Sequence, residues 1–260
     1  MFALRSLASK SVARRGRAPF FSSLFGESET VAPASLEGKV CLVVGGVNAV
    51  GSRVVRGLLA AGASVVVNSR SAPRLERLAD DLGRPARLTT VVGSLLPGSA
   101  EKTVERVADM TAGRLDHVVA HAGVRWWAGR GACDETGTLS RAPLFSLGEE
   151  EFLQQASQLA MLQFSAARLL APRLDENGSY TFVVGDGAFD KRSALGTLNL
   201  KAIQGLATAV RHESLPCRVN KIRVGVEMEP ADEDAFLQGV GELAAGVAAA
   251  GDDAYACENE

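Results

Sequence analysis

From Leu36 onward, short uninterrupted apolar runs alternate with longer stretches in which apolar residues recur three or four positions apart. The first pattern predicts buried strands, the second amphipathic helices. Lys39–Val44, bounded by Gly38 and Gly45, predicts the first strand. Asn48–Ala61 then predicts a helix with Val50, Val54, Leu58 and Leu59 on one side. Further strands are predicted at Ser64–Val67, Leu88–Val92, His117–Ala120, Tyr180–Val184 and Val219–Val226. Helices fall between them at Arg74–Leu82, Ala100–Met110, Glu149–Leu174 and Ala194–His212. A weaker helical pattern (Phe236, Leu237, Val240, Leu243, Val247) lies in an acidic C-terminal stretch.

Near-continuous apolar strands separated by helices imply a parallel sheet covered on both faces. Right-handed crossovers make it a doubly wound α/β sheet, a single Rossmann domain. A chain of 260 residues, 47% hydrophobic and 22% charged, suits one core of that size. Gly246–Tyr255 reads as the approach to a seventh strand that is not reached by Glu260. The expectation is therefore a sheet without that strand, its edge at the sixth strand open or otherwise covered. The predicted organisation is a leader over residues 1–30 and one domain over 31–260, ending in a solvated acidic tail.

Charge refines this picture. The first 26 residues carry Arg5, Lys10, Arg14, Arg15 and Arg17, with serines and no acid before Glu27. That is the composition of an organellar transit segment, with mitochondrion the first expectation, plastid the second and a disordered basic tail the bland alternative. Residues 224–260 hold no Lys or Arg, and their acids could meet a basic partner. A net charge of −2 argues against a general nucleic-acid binder. No apolar run approaches the roughly 18 residues of a membrane span. Cys41, Cys133, Cys217 and Cys257 lie far apart, and the only histidines are His117, His121 and His212, so no metal site is expected.

The candidate chemistry begins at Val44-Gly-Gly-Val-Asn-Ala-Val-Gly51, between the first strand and the first helix. Glycines there let a diphosphate approach backbone N–H groups at a helix N-terminus. The bland alternative is a tight turn needing positive φ at Gly45 or Gly46. On these residues the chain resembles the short-chain dehydrogenase/reductase family, whose first turn is Thr-Gly-x-x-x-Gly-x-Gly. Val44, Gly45, Ala49 and Gly51 stand on its fixed positions. Leu36-Glu-Gly-Lys-Val40, Ala61-Gly-Ala63, Leu115–Gly123 and Arg218-Val-Asn220 continue the likeness. The resemblance implies NADP(H) held around Gly45, Gly46, Asn48, Gly51, Ser69, Arg70 and Gly123. Asn68-Ser69-Arg70 lacks the acid that NAD-using members place on the ribose, whereas Ser69 and Arg70 suit a 2′-phosphate. A solvated loop charge is the plain reading of Arg70.

The family's Asn-Ser-Tyr-Lys apparatus is a different matter. Local anchors place Leu159, Gly185, Gly196 and Leu200 on its four positions. The two tyrosines, Tyr180 and Tyr255, have Val184 and Asn259 four residues later, where the family requires Lys. A shift of one residue brings in Lys201 but offers Thr197 for the tyrosine, a far poorer proton donor. No catalytic residue is therefore assigned. Asp186, Asp190, Lys191 and His121 border the expected crevice as possible substitutes or as ordinary turn and core residues. Trp126 and Trp127 could anchor a protein partner or fold over their own domain. The expectation is a catalytically degenerate, possibly NADP(H)-binding subunit of a mitochondrial assembly. The alternative is an NADP(H)-dependent oxidoreductase with an atypical proton donor.

Overall fold

The strands are where apolar runs meet at register. In the computed structural model, residues 35–121, 144–185, 194–224 and 230–249 are described. Residues 1–30, for which a transit segment is expected, and Gly123, Trp126, Trp127, Asp186, Asp190, Lys191 and Tyr255 lie outside them. All described elements belong to the compact unit Pro33–Glu260. They run β1 (Val40–Val44), α1 (Ala49–Ala60), β2 (Ser64–Ser69), α2 (Ala72–Asp81), β3 (Leu88–Val92), α3 (Ala100–Met110) and β4 (His117–His121). There follow α4 (Glu149–Leu170), β5 (Ser179–Gly185), α5 (Ala194–Val210), β6 (Arg218–Val224) and α6 (Pro230–Ala249).

The six strands form one parallel sheet in the order β3-β2-β1-β4-β5-β6. This is the doubly wound architecture expected, with β1 central and the crossover direction reversing between β1 and β4. Alternation along β1 divides the core: Cys41 and Val43 join Val50, Val54 and Leu58 of α1 and Val240, Ala244 and Val247 of α6. Leu42 and Val44 face the opposite layer, with Val104 of α3, Ala166 and Leu170 of α4, and Ile203 and Ala207 of α5. Two-sided burial is why these strands read as continuous apolar runs.

Several boundaries differ from the sequence reading, each for a local reason. Strand β2 continues past Val67 through Asn68 and Ser69. The buried Asn68 amide donates to Val91 O (3.2 Å) and Gly93 O (3.0 Å), so a polar side chain is tolerated in the core. Helix α2 begins at Ala72 because Pro73, lacking an N–H, suits the first turn. Helix α4 stops at Leu170 and tightens over Ala171–Arg173, since Pro172 cannot continue it.

The expected weak C-terminal helix is present, but it is docked on the domain rather than solvated. Residues 230–249 form a 20-residue helix, and Val240, Ala244, Ala245, Val247 and Ala248 are buried. The contact is close because glycines meet: a Cβ on Gly57 of α1 would collide with the Gly241 backbone, and one on Gly241 with Arg53 O. Near the end of α6, Arg218 Nη2 donates to Ala248 O (3.3 Å). Among the described residues, β6 pairs only with β5, and Arg211 Nε donates to Val219 O on it (3.1 Å).

Candidate functional site

At the C-terminal edge of β1 the chain must turn sharply under β4 and enter α1. Gly45 does this at φ 78°, its N–H donating to Asn68 O (3.0 Å). A Cβ there would strike the His121 carbonyl oxygen, so two independent constraints require glycine. Gly46 is buried in the turn without positive φ. Gly51 lets α1 start against the turn, for a Cβ would lie 2.6 Å from Gly45 O.

Asn48 is the N-cap of α1, its Oδ1 accepting the Gly51 N–H at 2.8 Å. Its Nδ2 faces His121 Nδ1 at 3.0 Å and Gly45 O at 3.4 Å. Since the cap fixes Oδ1 as acceptor, Nδ2 is the donor and His121 Nδ1 accepts. Burial pushes the His121 imidazole down to about 4, outweighing a backbone hydrogen bond at Gly45, and keeps it neutral. The N–H groups of Ala49 and Val50 meet no acceptor among the described residues. They leave an electropositive helix end just beyond the C-terminal end of β1.

The neighbouring strand ends complete the cofactor side. Ser69 closes β2, its Oγ accepting the Ser71 N–H (3.2 Å), and Arg70 is exposed just beyond it. Ser94 folds onto its own loop by accepting the Leu96 N–H (3.2 Å). A dinucleotide fits these residues: free first-turn amides for the diphosphate, and a hydroxyl and guanidinium rather than an acid for a 2′-phosphate. Ala49, in place of the family's middle glycine, narrows this fit by one methyl group.

The residues that the sequence reading sets at the proton-transfer positions are packed rather than exposed to the turn. Gly196 and Leu200 of α5 are buried, and Leu159 packs partly buried between α4 and the core. Tyr180 is fully buried within β5, its ring 4.9 Å from that of Phe182, and burial pushes its phenol upward. It is sealed from the crevice. Thr197 is half-buried; Lys201 is exposed, its Nζ donating to Gln204 Oε1 (3.0 Å). Gln204 Nε2 in turn donates to the carbonyl of Gly185 (2.9 Å) at the end of β5.

Asn199, one residue before Leu200, is a feature the sequence reading missed. Its buried amide donates to Gln155 O (2.8 Å) and Leu195 O (3.0 Å), while its Oδ1 accepts the Leu159 N–H (3.2 Å). It thus spans a turn of α4 from α5. A lone polar residue in an apolar helical face is the only signal that marked it.

His117 and His121 share a face of β4 but stand at opposite ends. His117 Nδ1 lies 3.0 Å from Ser179 Oγ, near the start of the sheet, and burial lowers it to about 4. Among the described residues no group of three or more His, Cys, Asp or Glu side chains could hold a metal ion. No described helix is long and apolar enough to cross a membrane.

Comparison with known proteins agrees with this architecture. The profile of short chain dehydrogenases matches residues 39–139. A rhamnolipid-biosynthesis 3-oxoacyl-[acyl-carrier-protein] reductase from Pseudomonas aeruginosa is 34% identical over 101 residues, covering 36% of this chain and 37% of that protein. The chain thus spans little more than a third of that relative. The short-chain dehydrogenase/reductase ATR9 from Stachybotrys chlorohalonatus is 25% identical over 205 residues, 74% of each chain. Among solved structures, a dehydrogenase/reductase from Sinorhizobium meliloti superposes with a TM-score of 0.65 at 18% identity, covering 88% of this chain and 92% of that one. A gluconate 5-dehydrogenase from Burkholderia cenocepacia, in complex with NADP and tartrate, superposes with a TM-score of 0.57 at 19% identity, covering 84% and 90%. At these identities the solved structures establish the fold alone. Over residues 39–139 the chain is similar in sequence to short chain dehydrogenases, and its strand order is the fold of the dehydrogenases and reductases on which it superposes.

Proposed function

We propose that this chain binds NADP(H) at the ends of β1, β2 and β4 and acts as an oxidoreductase on a carbonyl or alcohol. Its proton donor is a group other than the family's tyrosine. The observation that carries the reading is the turn at Gly45–Gly51, which leaves the Ala49 and Val50 amides open at the start of α1. These amides would bind the diphosphate, and Ser69 and Arg70 the 2′-phosphate. When bound, the dinucleotide supplies or accepts the hydride. NADP in the gluconate 5-dehydrogenase of the same fold supports this choice of cofactor.

A second reading has its own support. The buried Gly196 and Leu200, with Leu159 and Gly185, put no acid at the family's proton-transfer positions. That favours a subunit that binds the dinucleotide without turnover inside a larger assembly, with Trp126, Trp127, the β6 edge and the acidic C-terminus as contacts. Incubating the full chain with NADPH and a panel of aldehydes and ketones separates the two. Carbonyl-dependent NADPH oxidation supports the oxidoreductase; saturable binding without oxidation supports the subunit. The basic, acid-free start of the chain supports delivery to mitochondria, with plastids as the alternative. Imaging residues 1–30 fused to a fluorescent protein tests this.

A further inference from the structure

We propose that the Gln163 carboxamide and the Tyr180 hydroxyl together hold an internal water between α4 and the sheet, a binding site separate from the cofactor crevice.

Burying a side-chain amide without a partner is costly, so buried amides are hydrogen-bonded to protein or to ordered water. Three carboxamides are buried among the described residues, those of Asn68, Gln163 and Asn199. Asn68 donates to two backbone carbonyls, and Asn199 engages both of its ends across α4. Gln163 differs. It is 0% exposed, yet neither Nε2 nor Oε1 has a hydrogen-bond partner in the protein. The Tyr180 hydroxyl, equally buried, has none either.

Helix and strand periodicity set both groups in one layer. Gln163 precedes Ala166, Ala167 and Leu170 at helical spacing, so it lies on the face of α4 that packs on the sheet. Tyr180 joins that layer from β5. The layer is also rich in small side chains, with Ala120 of β4, Ala166 and Ala167 of α4, and Ala207 of α5. Methyl groups reach less far across it than leucines would, which suits a water there. An amide offers a donor and an acceptor, and a phenol serves as either, enough contacts for a buried water. An ion does not fit, since no Asp, Glu, Lys or Arg is buried among the described residues.

The test is a double-mutant cycle in urea unfolding of the full chain. Gln163→Met keeps the side-chain length and removes both polar atoms; Tyr180→Phe removes the hydroxyl. Each single change strands the partner across the water and is expected to lower the folded-to-unfolded ratio about tenfold. The double variant has no polar group left to strand. Its loss is expected to fall short of the two singles combined by about fivefold or more. Higher stability for Gln163→Met would show a dry amide, and losses that simply combine would show that the two groups share nothing; either overturns the proposal. Should a variant fail to fold, the wild-type chain supplies the second readout. ¹⁵N-edited ROESY is expected to show cross-peaks between water and the Gln163 side-chain amide, and their absence overturns the proposal too.

Discussion

Gly57 of α1 and Gly241 of α6 meet backbone to backbone, with no room for a side chain on either. Through this contact α6 covers the helix whose N-terminus forms the glycine turn. Alanine is intrinsically better than glycine in a helix by about 1 kcal/mol. Here the collision is with main chain, which cannot swing aside, and overpacking of this kind costs roughly 1–3 kcal/mol. Gly57→Ala and Gly241→Ala are therefore expected to lower the urea midpoint, against the direction of helix propensity.

Gly45→Ala is expected to be more damaging. It would impose a positive φ on a Cβ-bearing residue and drive that Cβ into the His121 carbonyl. The strain and overlap together should cost roughly 3 kcal/mol or more, read by denaturant titration. The Val44 side of the turn should feel this too, since Gly45 also donates to Asn68 O.

Acid should weaken the fold through its two buried imidazoles. Burial places His117 and His121 at about 4, below the ordinary value of 6.5. The unfolded chain therefore binds protons first as pH falls. The stability held by the neutral rings is fully present above about pH 6.5 and is lost as pH drops toward 4. Urea midpoints at pH 7.5, 6.0 and 4.5 should fall in that order. His121→Phe, where folded, should make the decline shallower.

Asn199→Leu tests the bridge between α5 and α4. The substitution strands the Gln155 carbonyl and Leu159 N–H contacts made by the buried amide. Removing one side of such a buried set typically costs roughly 1–3 kcal/mol. Asn199→Leu should lower stability by that amount, and a midpoint unchanged from wild type would show the bridge to be dispensable.

These residues also mark where the sequence ceased to be legible. The central strands β1, β2, β4 and β5 were readable because they are buried on both faces and so are largely apolar, whereas the edge strands β3 and β6 carry Thr89, Thr90, Asn220 and Lys221 and were legible mainly from their place in the alternation. The C-terminal end of β2 was not, because Asn68 looks polar while its hydrogen bonds reach Val91 on β3 and Gly93 just beyond it. The docking of α6 was hidden for a related reason. Its contact with α1 depends on glycines and alanines, which give little hydrophobic signal. At the site, the glycine turn announced itself by spacing. The Asn48–His121 pair joins residues on different strands' ends, a closeness that only the sheet order creates.

The central claim is that the crevice takes a phosphorylated nicotinamide dinucleotide. Titrating the full chain with NADPH and, separately, NADH, followed by nicotinamide fluorescence, tests it most directly. Saturable NADPH binding is predicted, at least about tenfold tighter than NADH, with Arg70→Ala removing most of the difference. No saturation by either nucleotide, or NADH bound as tightly as NADPH, would contradict it.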